Sequence, residues 1–335
     1  MGAPTVYRWD DTDAPVVMLG IGYAIELLKA CLVDGYGDKP AAGWSLEFDT
    51  GVSITERTAA FRNDPVDGTG CYLRVHEDET NILGYGSYTE CCGYMTMSDV
   101  DTGSDRFPTI ESEYASICKA PNQNYEGVPH PWIMIADNRC FYLFVYPNAD
   151  SRTATEPDIV DVAQYTTTMF FGDFESVIPG DSYACALVGK SGYGTGALVY
   201  GQSPSSASAN YTYVPRFSAG YPPDNTVTTS LVFSMYNTGP VGAHSGNGFG
   251  LNYPFNGQMV ISRPYMNDGK NYTMRGYLPG YYMPCHADLL WSDSVVTEVT
   301  QDDMTFLGIP HGICYVGSYT YKSQSLIRID EGFRA

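Results

Sequence analysis

Residues 131–147, PWIMIADNRCFYLFVYP, decide the fold class of this chain. Two almost wholly apolar runs flank Asp137, Asn138 and Arg139, and runs of this kind separated by turn-forming residues predict a β-hairpin. Neither run alternates with polar residues, which is the pattern of strands that are covered on both faces. The stretch therefore predicts a central hairpin buried on both faces.

Similar runs lie on both sides of this hairpin. Residues 71–78 alternate polar and apolar side chains, as a half-buried strand does, and residues 166–177 and 183–190 form another strand pair around the turn 178–181. The predicted fold is mainly β, with β-sandwich-like sheets, one N-terminal amphipathic helix and only a minor α component.

The predicted helix spans about residues 21–34. Ile21, Ile25, Leu28 and Leu32 recur every three or four positions and form one apolar stripe, and Gly35 is the residue type that ends helices. Cys31 lies on or beside this stripe, so it is predicted to be a buried thiol.

Composition divides the chain into three parts. Residues 1–200 are predicted to form a β-rich domain that includes the helix. Residues 201–230 are rich in Ser, Gly and Pro and predict a surface loop or arm. Residues 231–335 form a β-rich C-terminal part, either separate or packed into the same domain.

The net charge argues against two classes of partner. The 335 residues include 18 Lys and Arg against 38 Asp and Glu, a formal charge of -20. Such a surface repels phosphate backbones and anionic lipids, so neither nucleic acid nor membrane is a predicted partner. No apolar run approaches the roughly 20 residues of a membrane-spanning helix, and the first residues do not resemble a signal peptide.

Nine cysteines are an odd number, so pairing within one chain leaves at least one thiol over. Two interpretations stay open, buried thiols and disulfides to neighbouring chains. Adjacent residues on a strand point to opposite faces, so Cys91 and Cys92 are not both expected in the core. The candidates for disulfides or crosslinks are Cys71, Cys91, Cys92, Cys118, Cys140, Cys185, Cys285 and Cys314.

No catalytic, cofactor-binding or metal site is predicted. The Gly-rich residues 189–201 lack the spacing of a phosphate-binding loop. The pairs Cys285-His286 and His311…Cys314 carry zinc-type ligands, but strand neighbours face apart and no partner pair has the matching spacing. The chain is therefore not expected to be an enzyme.

Several stretches resemble virion structural proteins of tailed bacteriophages. The resemblance begins with WDDTDAPV (9–16) and LLKACLVDGYGDKPAAGW (27–44), and it is most specific in the block from Asp34 to Trp44. It continues through FRND, CYLRVHED, YMTMSDVDTGSDRFP, PWIMIADNRCFYLFVY, FFGDFESVIPGDSYACALVG and MRGYLPGYYMP.

The resemblance implies a mechanical function. It implies a collar or neck protein linking neck and tail, located in the virion after assembly in the host cytoplasm. Its partners would be other copies of itself and neck, tail-sheath or capsid-vertex proteins. Thiols made in a reducing cytosol could then close across interfaces once particles reach oxidising surroundings. The alternative is a tail-fibre or spike module that binds host glycan or protein through exposed Trp9, Trp44, Trp132 or Trp291.

Overall fold

The chain is mainly β in the computed structural model, as its sequence predicts, with antiparallel sheets and one short helix. The structure describes residues 2–53, 55–78, 87–109, 114–120, 127–146, 167–189, 211–215, 259, 261–263, 265–267, 274–284, 296–316 and 319–335.

A short helical segment follows the first strand, and the other described elements are all strands. The helical segment is α1 (Tyr23–Lys29), continued by a π-helical turn at Ala30–Asp34. The strands are β1 (Thr5–Arg8), β2 (Ser45–Asp49), β3 (Glu56–Arg62), β4 (Tyr72–Asp78), β5 (Ser87–Tyr94), β6 (Thr96–Asp99), β7 (Thr102–Ser104), β8 (Ala115–Ala120), β9 (Trp132–Ala136), β10 (Cys140–Val145), β11 (Thr167–Asp173), β12 (Glu175–Ser176), β13 (Cys185–Gly189), β14 (Tyr211–Tyr213), β15 (Ile261–Ser262), β16 (Tyr265–Asn267), β17 (Met274–Tyr277), β18 (Tyr281–Pro284), β19 (Thr297–Gln301), β20 (Met304–Val316) and β21 (Tyr319–Arg328).

Three sheets carry the architecture. The central sheet has the order β1-β9-β10-β11-β13-β14. The N-terminal sheet has the order β2-β3-β4-β5-β8, and the C-terminal sheet β15-β18-β21-β20-β19. The described residues also form two small sheets, β12-β17-β16 and β6-β7.

The central sheet is buried on both faces, as residues 131–147 predict. Phe141 and Leu143 of β10 pack in one apolar cluster with α1 and the N-terminal sheet. Tyr142 and Phe144 of the same strand point the other way, into a cluster with C-terminal residues such as Ile327. Successive side chains of a strand alternate between faces, so an all-apolar strand joins two cores. The C-terminal part thus packs directly on the central sheet.

The helix is shorter than its sequence pattern. It begins at Tyr23 rather than residue 21, because Gly20 and Gly22 have positive φ angles that are not helical. Its buried stripe includes Ile25, Leu28 and Leu32, and the π-helical turn ends at Gly35, whose φ is 76°.

The segment 201–230 is described only at 211–215, and there it differs from the predicted loop. Tyr211–Tyr213 form the edge strand β14, which pairs with β13 of the central sheet. Tyr213 and Val214 are buried. Tyr and Thr favour strands, and this short run of them outweighs the loop-like composition around it. The rest of the segment lies outside the described residues.

Gly172 sets the close approach of β10 and β11. It pairs with Cys140 at a φ of 119°, and a Cβ atom there would overlap the carbonyl of Arg139 and the backbone of Cys140. We expect Gly172→Ala to lower the free energy of unfolding by about 3 kcal/mol in urea denaturation, since backbone strain and overpacking add.

Gly180→Ala is the matched control for Gly172→Ala. Gly180 has a φ of 70°, but a methyl group added there would meet no atom within 4 Å, so this variant measures backbone strain alone. Its expected cost is about 1 kcal/mol. Equal costs for the two variants would show that the close strand approach contributes nothing.

Candidate functional site

Polar groups converge where the central hairpin turns. We call Asn63, Asp64, Thr69, Asp137, Asn138, Arg139, Asp173 and Arg334 the turn cluster. Oδ1 of Asp137 accepts hydrogen bonds from the backbone N–H groups of Arg139 (2.9 Å) and Cys140 (2.8 Å), which shapes the turn. Trp44 donates from Nε1 to the Asp137 carbonyl at 2.8 Å and ties residues 42–44 to the same place.

Arg334 brings the end of the described chain to this turn. Its guanidinium pairs with both carboxylate oxygens of Asp137, with 2.9 Å between Nη2 and Oδ1, and also donates to the Asp173 carbonyl at 3.3 Å. The Arg334 side chain is only 5% exposed. The contact joins the C-terminal residues to the central sheet by buried, opposite charges.

Asp173 is the most completely buried acid of the cluster. Its side chain is 1% exposed, and its carboxylate accepts hydrogen bonds from Asn63, from the backbone and hydroxyl of Thr69, and from Arg139. These donors come from the loop after β3 and from the hairpin turn. One carboxylate therefore fastens the N-terminal sheet to the central sheet.

The outer edge of the turn cluster is held by Asn138. Its Nδ2 donates to Asp64 at 2.8 Å and to Asp67 at 3.3 Å, while the Asp64 backbone N–H donates to the Asn138 carbonyl at 2.9 Å. Two backbone N–H groups and Asn138 lower the pKa of Asp64. Asn138 thus attaches the loop 63–70 to the hairpin at Asp64 and Asp67.

A cavity of about 580 Å³ opens beside the turn cluster. Small residues such as Gly2, Ala3 and Thr5 line part of it, and Asp67, Asp137, Arg139 and Arg334 contribute its charges. Arg334 pairs with Asp137 and Arg139 with Asp173, and Asp67 accepts a hydrogen bond from Asn138. The cavity wall thus combines small side chains with two acids and two bases, whose charges balance. Such a surface suits contact with another protein segment better than capture of a charged small molecule.

Electrostatics keep the Asp137 carboxylate ionised. Burial raises the pKa of Asp137, but Arg334 and the backbone N–H groups of Arg139 and Cys140 outweigh burial, and the pKa lies below its ordinary value. A carboxyl group that stays ionised at neutral pH is unsuited to exchanging protons there. Asp137 instead holds the hairpin turn and Arg334 together.

Arg334→Gln tests this charge pair. We expect about 2 kcal/mol of destabilisation at neutral pH, because a charged hydrogen-bond donor is removed from a buried carboxylate. Because the pKa of Asp137 is lowered in the folded state, its ionised carboxylate stabilises the fold fully above the unfolded-state pKa. This stabilisation is lost as the pH falls through the folded-state pKa. Urea denaturation should therefore show that the difference in free energy of unfolding between the parent chain and Arg334→Gln is smaller at about pH 3 than at neutral pH.

The control for Arg334→Gln is Arg8→Gln. Arg8 pairs with Asp10 at 2.8 Å, but both side chains are well exposed. Removing this pair should therefore lower the free energy of unfolding only slightly. If Arg334→Gln loses the same free energy of unfolding at both pH values, the loss comes from packing rather than from charge.

The cysteines separate into one bonded pair and buried thiols. Cys71 and Cys185, 114 residues apart, form a disulfide within the chain. Cys31, Cys91, Cys92, Cys118 and Cys140 remain as buried thiols. Crosslinks to other chains through these five would require the fold to open. Cys285 lies outside the described residues, and Cys314 lies in β20 with its side chain outside them.

Cys91 and Cys92 lie on opposite faces of β5, as adjacent strand residues must. Cys91 belongs to the main core cluster with α1, and Cys92 does not, as expected of adjacent strand residues. Of the surroundings expected for the second thiol, namely solvent, a loop or a partner, solvent is excluded. Tyr72 and Tyr94 cover Cys92 in a small separate cluster, and it is 3% exposed. Large aromatic neighbours on the outer face of the sheet thus shield the second thiol.

A second buried ion pair lies below the start of α1. Glu77 of β4 pairs with Lys119 of β8, and each side chain is 1% exposed. Thr89 of β5, between them, donates to Glu77 at 3.1 Å, and the Gly22 backbone N–H donates to it at 2.6 Å. Lys119 donates to the Gly20 carbonyl. The pair anchors the helix start to three neighbouring strands.

Among the described residues, donor atoms of Cys71, Asp173 and Cys185 lie within 4.8 Å of one another. This is the only such group of metal-type ligands in that part of the chain, and two of its members share the disulfide. The pair Cys285-His286 lies outside the described residues, as do the side chains of His311 and Cys314.

No protein-family model matches the chain, and no curated protein matches it. The resemblance to phage virion proteins therefore stands on the quoted residues alone. Within the described residues, no helix has both the length and the apolar character needed to cross a membrane.

Sequence reasoning did not single out Asp173, Lys119, Glu77 or Arg334. A signal existed for Asp173, since an acid between Phe171 and Phe174 in an apolar run has to find partners when buried. Glu77 likewise stands in a strand whose other inward residues are apolar. Arg334 and Lys119 carry no comparable local signal.

Proposed function

We propose that the chain is a structural component of a tailed-bacteriophage virion, and that it serves in a collar or neck linking neck and tail. One observation carries the proposal: the segments that resemble such proteins also build the central sheet and the turn cluster. Residues 131–146 supply β9 and β10, and residues 170–189 supply most of β11 and all of β13.

The layered core supports a mechanical task. Side chains of the central sheet pack in two clusters, one with α1 and the N-terminal sheet and one with C-terminal residues. Close-packed interiors compress little and transmit strain. Buried ion pairs at Glu77–Lys119 and Asp137–Arg334 add attachments between segments far apart in the chain. A load on one layer would be shared by the others.

The proposed partners are other copies of the chain and neck, tail-sheath or capsid-vertex proteins. Two copies that each carry -20 repel one another, so their contact has to be made by apolar burial or covalent bonds. Interprotein disulfides remain part of the proposal only for Cys285 and Cys314, since the other cysteines are bonded or buried.

The fibre alternative gains little from the tryptophans. Trp44 and Trp132 are buried in the core, so neither can form an exposed binding patch. Trp9 is 37% exposed, and Trp291 lies outside the described residues.

Immunogold electron microscopy of purified particles tests the proposal. An epitope inserted after Val52 would be accessible, because Val52 is 85% exposed and a side chain at Gly51 would meet no atom within 4 Å. We expect gold between capsid and tail, with untagged particles as the control. Label at the tail tip would replace the collar with the fibre function, and absence of the chain from particles would overturn the proposal.

A further inference from the structure

The disulfide between Cys71 and Cys185 joins two layers of the fold. Cys71 directly precedes β4 of the N-terminal sheet, and Cys185 begins β13 of the central sheet. Both residues are fully buried. We infer that this pair is a redox latch, two free thiols in a reducing compartment that close into one interlayer bond after folding.

The two sulfurs are positioned by contacts that do not depend on the bond. Asp173 stands directly opposite Cys185 in the pairing of β11 with β13. Its carboxylate binds the backbone N–H of Thr69 at 2.9 Å and the hydroxyl at 2.6 Å, only two residues before Cys71. Asn63 adds a third hydrogen bond at 2.9 Å. The loop 63–71 is therefore docked on the central sheet while the thiols are still reduced.

Docking makes closure an intramolecular reaction between neighbours. Thiols held side by side react at a high effective concentration, and the geometry selects one pairing among the seven cysteines whose side chains the structure describes. Within the described part of the chain, Cys31, Cys91, Cys92, Cys118 and Cys140 form no competing disulfide.

The closing step balances with an external disulfide such as oxidised glutathione. One cysteine thiolate attacks that disulfide, forms a mixed disulfide and releases one glutathione thiolate. The second cysteine then attacks the mixed disulfide, forms the Cys71–Cys185 bond and releases the other glutathione. The two cysteines lose two protons and two electrons, and the glutathione disulfide gains them.

Burial controls access in both directions. An oxidant or reductant reaches the sulfurs only when the loop 63–71 opens, which breaks its hydrogen bonds to Asp173. The bond therefore closes slowly and, once closed, resists brief reducing conditions. The inference rests on the proposed function only for the change from a reducing cytosol to oxidising surroundings.

A metal ion at the same residues is the competing explanation. Each Asp173 oxygen already accepts two hydrogen bonds, with Asn63 and the Thr69 hydroxyl on Oδ1, and the Thr69 backbone and Arg139 on Oδ2. No lone pair of this carboxylate is left for a metal without breaking that set. The geometry thus favours sulfur–sulfur bonding.

Thiol trapping on the full chain tests the latch. Cells are acid-quenched and alkylated, and the same protein, purified reduced, is then treated with oxidised glutathione. We expect Cys71 and Cys185 to be alkylated in the quenched lysate and joined in the treated protein, with the melting temperature raised by several degrees. The double variant Cys71→Ala/Cys185→Ala should show no shift, while the control Cys118→Ala should shift like the parent.

Three results would overturn the inference. They are a bond already closed in the quenched lysate, no closure or melting shift on oxidation, and zinc that binds the reduced parent chain at one ion per chain but does not bind the double variant. If the double variant does not fold, the trapping result on the parent chain still decides. Absence of the chain from particles would sink the proposed function but leave these measurements on the purified protein unchanged.

Discussion

Lys119→Met is expected to destabilise the folded chain by about 3–5 kcal/mol, because it leaves the Glu77 carboxylate buried without its counter-charge. Both side chains are 1% exposed, so water cannot replace the missing ammonium group. The Gly20 carbonyl also loses its donor. The measurement is the free energy of unfolding from urea denaturation.

Two further variants give this experiment its control. Lys29→Met breaks a pair with Asp34 at 3.6 Å in which both side chains are partly exposed, and should cost no more than about 1 kcal/mol. In the double variant Glu77→Gln/Lys119→Met, the amide oxygen still accepts from Gly22, so part of the stability should return. If the losses in free energy of unfolding of the two single variants simply add in the double variant, Glu77 and Lys119 are not coupled.

Phe141→Ala is expected to cost about 3–5 kcal/mol, because it opens a cavity in the core between the N-terminal and central sheets. Phe141 is fully buried, and its ring centroid lies 5.6 Å from that of Trp44 and 6.2 Å from that of Phe171. Losing both aromatic contacts adds to the cost of the cavity. The free energy of unfolding is again the readout.

Phe141→Leu and Val52→Ala are the controls for Phe141→Ala. Leucine keeps most of the apolar volume, so its cost should stay near about 1.5 kcal/mol. Val52 is 85% exposed, and its replacement should change stability by no more than about 0.5 kcal/mol. A cost for Phe141→Ala as small as that of the surface variant would mean that the hairpin is not the centre of the core.

The central hairpin could be predicted because its evidence is local. Residues 132–136 and 140–145 contain no alternating polar face, and the structure buries every one of them. The helix was predictable in type but not in its start, since the positive φ angles of Gly20 and Gly22 depend on contacts around them. β14 was missed because a run of three residues is too short to show a strand periodicity in the sequence.

The turn cluster could not be predicted in the same way. Asn63 and Asp173 are 110 residues apart, and Arg334 lies 197 residues from Asp137. Nothing in the sequence around either the arginine or the asparagine indicates its partner. Apart from Asp173, which lies in an apolar run, the charged residues of the cluster stand in sequence surroundings that are typical of surface residues.

The sequence by itself determined the mainly β class, the strand pair at the centre and the acidic charge, because side-chain periodicity and composition act locally or simply add. Only the tertiary structure decided which cysteines meet, which acids are buried and which cations neutralise them. Those choices depend on distances between residues far apart in the chain, and such distances are set when the layers pack together.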